Sequence, residues 1–392
     1  MNAGITHTEE EKLLAHKINE LKKQAGSHSP SVFTLKQKLP ELNIKIDACF
    51  LSNPYATDLF LSYFTREIIN TGKIRDLLEF YPSQNQVISE ILAPFLNVNH
   101  QNIFIGNGAI EIIQAVIHNF TQKKIIINIP TFSSYYEFVK DDVEIIYNTL
   151  EKESGYRLDI EKFLGLIKEH NPDTIVLINP NNPDGNYIVT ADIQKILESV
   201  RDVKTVIIDE SFIHFAYENN NFEPISTAEL INKFPNLVLI KSMSKDFGIA
   251  GIRAGYAVMN KERVDKLLKS GFLWNSNGFS EYFFRLYTRA DFAYDYNSVR
   301  IRYIMETIEF VKQLETINAI KVYPGRANFV LIELPELMKS IDFVTDVLIK
   351  YGIYIRTCED KIGLQGEYIR LASRTKKEND YIFESLKSYF NP

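Results

Sequence analysis

Ser242-Met243-Ser244-Lys245-Asp246-Phe247-Gly248-Ile249-Ala250-Gly251-Ile252-Arg253-Ala254-Gly255-Tyr256 is the stretch on which the reading of this chain turns. It follows the aliphatic run Leu237-Val238-Leu239-Ile240-Lys241, which predicts a strand. Within a few turns of chain it offers two serines, an amine, glycines and then an arginine eight residues after the lysine.

Working outward, similar short apolar runs lie at 125–129, 144–148, 174–179 and 205–209 upstream, and at 254–259 downstream. Helical patterns such as 188–198 separate them. Short, nearly all-apolar strands between helices predict a buried, mostly parallel α/β sheet. Functional side chains then belong just past the carboxyl ends of the strands. Beyond about 260, a long helical stretch leads to further strands at 328–334, 352–358 and 367–372. The expected organisation is a large central domain at 72–275 and a smaller α/β domain built from both chain ends, 1–71 and 276–392. Thr8 and Glu11 form a capping-box start for an N-terminal helix that Gly26 stops, and 27–56 reads as loop.

Composition narrows the classes. The 392 residues carry 44 Lys and Arg against 50 Asp and Glu, a net charge of −6, with no basic block of the kind nucleic acid demands. Two cysteines, Cys49 and Cys358, imply a reducing compartment without a disulfide framework. The acidic N-terminus lacks the basic and apolar parts of a signal peptide, and no apolar run is long enough for a bilayer. A cytoplasmic location without membrane or nucleic-acid partners is expected.

The chemistry then accumulates residue by residue. Lys245 is an amine for an aldehyde; Ser242, Ser244 and Arg253 suit a phosphate, and the glycines allow close backbone approach, which together are the needs of pyridoxal 5'-phosphate. Asp209 ends the run at 205–209, where a carboxylate can pair with a protonated pyridine nitrogen; an ordinary helix cap reads equally well. Asn182, in Asn179-Pro180-Asn181-Asn182-Pro183-Asp184-Gly185, can donate to a ring oxygen, although the segment is also plain turn chemistry. Gly108 and Ala109, in Ile105-Gly106-Asn107-Gly108-Ala109-Ile110-Glu111, open a helix whose N–H groups can hold a phosphate, or form a structural turn. Phe132 can stack on a ring or fill a core. Arg356, Arg370 and Arg374 on or after two late strands suit a substrate with a carboxylate and a phosphate, and each is also explained as a solvated surface group. His28 and His214 are isolated, and no His/Cys/carboxylate cluster suggests a metal.

From about residue 45 onward the chain resembles fold-type-I pyridoxal-phosphate enzymes with the aspartate-aminotransferase fold. It is similar in particular to the branch shared by histidinol-phosphate aminotransferase and threonine-phosphate decarboxylase. The resemblance implies that Lys245 carries the cofactor as a Schiff base, Asp209 pairs the ring nitrogen, Asn182 meets the ring oxygen and Phe132 stacks. It also implies that Gly108, Ala109, Ser242, Ser244 and Arg253 hold the phosphate. Tyr81 would reach the phosphate of a neighbouring subunit's cofactor, so a homodimer is expected, and Tyr55 joins the arginines at the substrate. Phe212 stands where the transaminase pattern has Tyr, as in the decarboxylase branch, and Arg374 stands where aminotransferases carry Gly. Ile110 replaces a common polar residue of the phosphate cup. The expected activity is decarboxylation of a phosphorylated hydroxy amino acid such as O-phosphoserine or O-phosphothreonine. The alternatives are an aminotransferase on a similar substrate and a catalytically silent scaffold.

Overall fold

A computed structural model describes residues 8–26, 28–272 and 275–391. The first seven residues, part of the segment read for a signal peptide, lie outside the described residues. In chain order the described strands are β1 (Ile46–Asp47), β2 (Ile103–Gly106), β3 (Lys124–Ile129), β4 (Glu144–Thr149) and β5 (Thr174–Ile178). They continue as β6 (Thr205–Asp209), β7 (Leu237–Ser242), β8 (Gly255–Met259) and β9 (Lys321–Tyr323). The last four are β10 (Phe329–Glu333), β11 (Ile353–Tyr354), β12 (Arg356–Thr357) and β13 (Tyr368–Ala372).

Two compact units emerge. The larger comprises Ser52–Asn182 and Asn186–Tyr303; the smaller comprises the chain up to Leu51, Pro183–Gly185 and the chain from Ile304. The cuts at 51/52 and 303/304 correct the expected ones at 71/72 and 275/276. The reason is apolar burial: Phe60 and Tyr63 of the 54–64 helix, and Phe283 and Tyr287 of the 278–287 helix, join the core under the large sheet.

The larger unit is built on a seven-stranded sheet in the order β2-β8-β7-β6-β5-β3-β4. Its neighbours are parallel except for β8, which is antiparallel to both β2 and β7. Alternate residues feed two cores: Leu237 and Leu239 face one with Ile208, whereas Val238 and Ile240 face the other with Ile207. The register brings Gly106 and Ser242 opposite Gly255, and Asp209 opposite Ile178 and Ile240. All these residues therefore lie on one edge of the sheet.

The smaller unit has an antiparallel sheet, β12-β13-β10-β9, and a parallel pair, β1-β11. The expected strand at 352–358 is thus two strands that part at Ile355 and join different sheets. The N-terminal helix Glu9–Gln24 has the expected capping box from Thr8 and Glu11 and buries Ile18 against Leu35, Cys49 and Tyr354. Where a loop was expected, Val32–Lys38 is helical, capped by Ser31 Oγ, which accepts from the Thr34 N–H at 3.0 Å. No described helix is long and apolar enough to cross a membrane.

Candidate active site

Lys245 lies in the loop beyond β7 and is half-buried. Its carbonyl accepts from the Asn53 N–H at 3.0 Å, and the Thr57 hydroxyl donates to the Gly248 carbonyl at 2.8 Å. Gly248 has φ 63°, and a Cβ there would overlap Thr57 and the Asn53 carbonyl. Glycine lets the loop close onto the 54–64 helix.

Asp209 ends β6 and is 3% exposed. The Tyr135 hydroxyl donates to Oδ2 at 2.8 Å and the Ser211 N–H to Oδ1 at 2.8 Å. Burial pushes its carboxyl up, while the donors on Ser211 and Tyr135 and the charge of Lys241 pull it back. A carboxylate in so dry a setting is stabilised by a cation brought against it. Tyr135 itself is fully buried, and burial beside Asp209 holds its phenol well above the usual value. Sequence reading did not single out Tyr135; its one signal was a tyrosine three residues past Phe132.

At the same end of the sheet, Gly108 caps the twelve-residue helix Ala109–Phe120 with φ 79° and ψ 168°. The Arg253 guanidinium occupies the position a Gly108 Cβ would take, and a Gly255 Cβ would come within 3.0 Å of the Ala109 nitrogen. Arg253 is anchored through Nη1, which donates to the Ala250 carbonyl at 3.0 Å. The buried Ser242 and Ser244 flank Met243, with the Ser244 N–H donating to Ser242 Oγ at 3.2 Å. Glu111 fixes the loop by accepting from the Asn107 N–H at 2.7 Å and from Asn275 Nδ2 at 2.8 Å. A helix N-terminus beside a guanidinium is an anion-binding corner.

Asn182 is buried in the turn after β5, where its neighbours set the backbone. Asn179 exchanges hydrogen bonds with the Ile188 backbone, both at 2.8 Å, and Asn181 accepts from Thr131 Oγ1 at 2.9 Å. Phe132 is half-buried against the second core. Tyr55 lies under the Arg302 guanidinium, 4.2 Å from its ring centroid, and its hydroxyl accepts from Arg302 at 3.2 Å. Tyr81 is 88% exposed in the single chain.

In the smaller unit, Arg356 and Arg370 are directly opposed across β12 and β13. Arg356 pairs with Asp360 at 2.8 Å and donates to Ser29 Oγ at 3.2 Å; Arg370 donates to the Cys49 carbonyl at 2.9 Å. Arg374 stands apart from that strand pair, at the start of the last helix, with Nε 3.8 Å from Glu378. No group of three or more His, Cys, Asp and Glu among the described residues could hold a metal ion.

An amine, a buried carboxylate and an anion corner on one sheet edge match the three poles of pyridoxal phosphate: aldehyde, pyridine nitrogen and phosphate. Residues 52–386 match the family described as aminotransferase class I and II. The chain belongs to that family.

Within it, the chain is 57% identical over 380 residues to an L-serine phosphate decarboxylase of Campylobacter jejuni subsp. jejuni, covering 97% of each. It is 48% identical over 371 residues to an L-serine phosphate decarboxylase of Sulfurospirillum multivorans, covering 95% of each. Among solved structures, that of a decarboxylase from Sulfurospirillum multivorans superposes with a TM-score of 0.93 at 46% identity, covering 97% of this chain and 96% of that one. The fold-type-I architecture expected from sequence is therefore the one found.

Proposed function

We propose that this chain is a pyridoxal-phosphate-dependent L-serine phosphate decarboxylase, converting O-phospho-L-serine to carbon dioxide and O-phosphoethanolamine. The observation that carries the reading is the 57% identity over 97% of the chain to a decarboxylase of that substrate. Phe212 at the position expected to be Tyr in an aminotransferase supports the same choice.

Lys245 would hold the cofactor's aldehyde carbon, Asp209 its ring nitrogen and Asn182 its ring oxygen, with Phe132 against the ring. Gly108, Ala109, Ser242, Ser244 and Arg253 would hold its phosphate. When bound, the cofactor supplies a sink for the electron pair released as the Cα–carboxylate bond breaks. Asp209, kept dry by burial and oriented by Tyr135, would favour a proton on the ring nitrogen. Lys245 Nζ would be the group in this loop placed to return a proton to Cα. Arg356, Arg370 and Arg374 bind the substrate's anionic groups, and charge-assisted contacts to both fix which bond of Cα is broken. The exposed Tyr81 ring fits a role at a second subunit, in a homodimer.

The test is product analysis with O-phospho-L-serine and no keto acid. Equimolar carbon dioxide and phosphoethanolamine are expected. Transfer of the amino group to an added keto acid without carbon dioxide would overturn the reading and favour an aminotransferase. Sedimentation of a fully active monomer would remove the homodimer.

A further inference from the structure

Lys241 breaks the pattern of its own strand. β7 is buried along its whole length, and the residues that share Lys241's face, Leu237 and Leu239, sit in the apolar core. Lys241 is 1% exposed, a burial that lysine tolerates only when its charge is answered. Two partners answer it. Its Nζ forms an ion pair with Asp246 Oδ2, whose side chain is fully buried, and donates to the Glu210 carbonyl at 3.0 Å.

The identity of those partners is what matters. Asp246 is the chain neighbour of Lys245, and Glu210 is the chain neighbour of Asp209. One ammonium thus grips the residue after each of the two groups that the proposed chemistry uses. The other groups around the pair are fixed in turn. The Glu210 carboxylate accepts from the Thr227 N–H at 2.7 Å, from Thr227 Oγ1 at 2.6 Å and from Ser226 Oγ at 2.8 Å. His214 Nδ1 stands 3.7 Å from Asp246 Oδ2 and 3.1 Å from the Tyr296 hydroxyl. Arg300, fully buried, donates to the His214 carbonyl at 3.1 Å and to the Asn297 side chain. A cavity of about 370 Å³ lined by Lys241, Glu210, His214, Tyr256, Tyr296 and Arg300 lies beside the pair.

We infer that Lys241 is a positioning residue that sets Asp209 and Lys245 in mutual register, through Glu210 and Asp246, so that both meet one cofactor molecule. A buried pair of this kind contributes specificity of geometry rather than net stability, because desolvation offsets most of its attraction. The role assigned to the pair is indirect, exerted through the residues next to Asp209 and Lys245. Its effect is read in how the bound cofactor is oriented.

The inference rests on the cofactor assignment and is independent of the substrate. The experiment uses purified holoenzyme with Lys241→Met, Lys241→Arg, Asp246→Asn and the double variant Lys241→Met/Asp246→Asn. Three quantities are measured: pyridoxal-phosphate dissociation constant, visible circular dichroism per bound cofactor, and the rate of borohydride fixation at Lys245. Lys241→Met and Asp246→Asn are each expected to weaken cofactor binding about tenfold or more, the factor of a lost contact to a charged group. Both are also expected to reduce the circular dichroism of the cofactor that remains bound. Lys241→Arg and the double variant, which leave no lone buried charge, are expected to recover part of both signals. A purely structural lysine predicts the opposite: lower melting temperature with wild-type cofactor affinity, dichroism and fixation rate. That result overturns the inference. If Lys241→Met does not fold, Asp246→Asn decides alone on the same two outcomes. A wild-type protein that binds no pyridoxal phosphate would instead sink the cofactor assignment on which both readings stand.

Discussion

Replacing Gly108 by alanine attacks the anion corner at its tightest point. Gly108 has φ 79° and ψ 168°, a region open essentially to glycine alone, so alanine is strained by about 1–3 kcal/mol before any contact is considered. Its Cβ would also fall on the Arg253 guanidinium, which would have to move away from the start of the 109–120 helix. If that guanidinium holds the cofactor phosphate, losing the contact costs about 1.5–3 kcal/mol, or roughly 10- to 150-fold in affinity. The two effects separate experimentally. Strain lowers the melting temperature of the cofactor-free protein, whereas the displaced arginine raises the dissociation constant measured by cofactor fluorescence quenching. Gly108→Ala is expected to show both, and Arg253→Lys only the second. If Gly108→Ala binds pyridoxal phosphate as tightly as wild type, the phosphate is held elsewhere and the corner has been misread.

Tyr135→Phe removes one of the donors to a buried carboxylate, and cofactor affinity should fall roughly 10- to 150-fold for a contact of about 1.5–3 kcal/mol; unchanged binding in a titration would refute the orienting role. Arg374→Ala should lower kcat/KM for O-phosphoserine by the same roughly 10- to 150-fold while leaving any turnover of serine unaltered, and equal losses on both substrates would remove phosphate recognition from Arg374. Burial raises the Asp246 carboxyl from 3.8 to about 6, with Lys241 opposing the shift. Between these values the folded chain binds a proton that the unfolded chain has lost, so this group's contribution to stability falls as pH rises through the window and is level above it. Unfolding free energies from urea titrations of wild type and Asp246→Asn should therefore diverge by up to about 1.4 kcal/mol per pH unit across the window, and parallel curves would count against a buried, titrating Asp246.

The strands of the large sheet were legible because each is a short, almost purely aliphatic run, and burial on both faces leaves no other use for such a run. Their direction was not. Nothing in Gly255–Met259 marks β8 as antiparallel, since direction follows from how the connection after Arg253 turns. The helix at 32–38 was missed because seven residues are too few for a period to declare itself, although Ser31 and Thr34 carried a capping signal. At the site, Lys245, Asp209 and the 105–111 loop could be placed from their strand ends. Tyr135 could not: its hydroxyl meets Asp209 from 74 residues away, and only the fold brings them together. Lys241 was in plain view, a charge closing an aliphatic run read simply as a strand, and nothing in the run itself assigned the charge a partner. β7 is buried to its last residue, and that burial is what gives the charge a role.

The division of the chain also has a consequence for biosynthesis. The smaller unit is assembled from the first fifty-one residues, three from the middle and the last eighty-nine. Its parallel pair joins Ile46 to Ile353, so the early strand emerges from the ribosome long before its partner exists. Synthesis at about 5–20 residues per second leaves that edge waiting for on the order of fifteen seconds to a minute. Through that interval Ile46, Ala48 and the apolar face of the N-terminal helix have no finished core to enter, while the larger unit can already close around its sheet. Truncations near the C-terminus should therefore surrender the N-terminal segment as well as the residues removed. A nascent chain stalled after Tyr303 would present the complete seven-stranded sheet with a loose leading segment, a form exposed to proteases and chaperones.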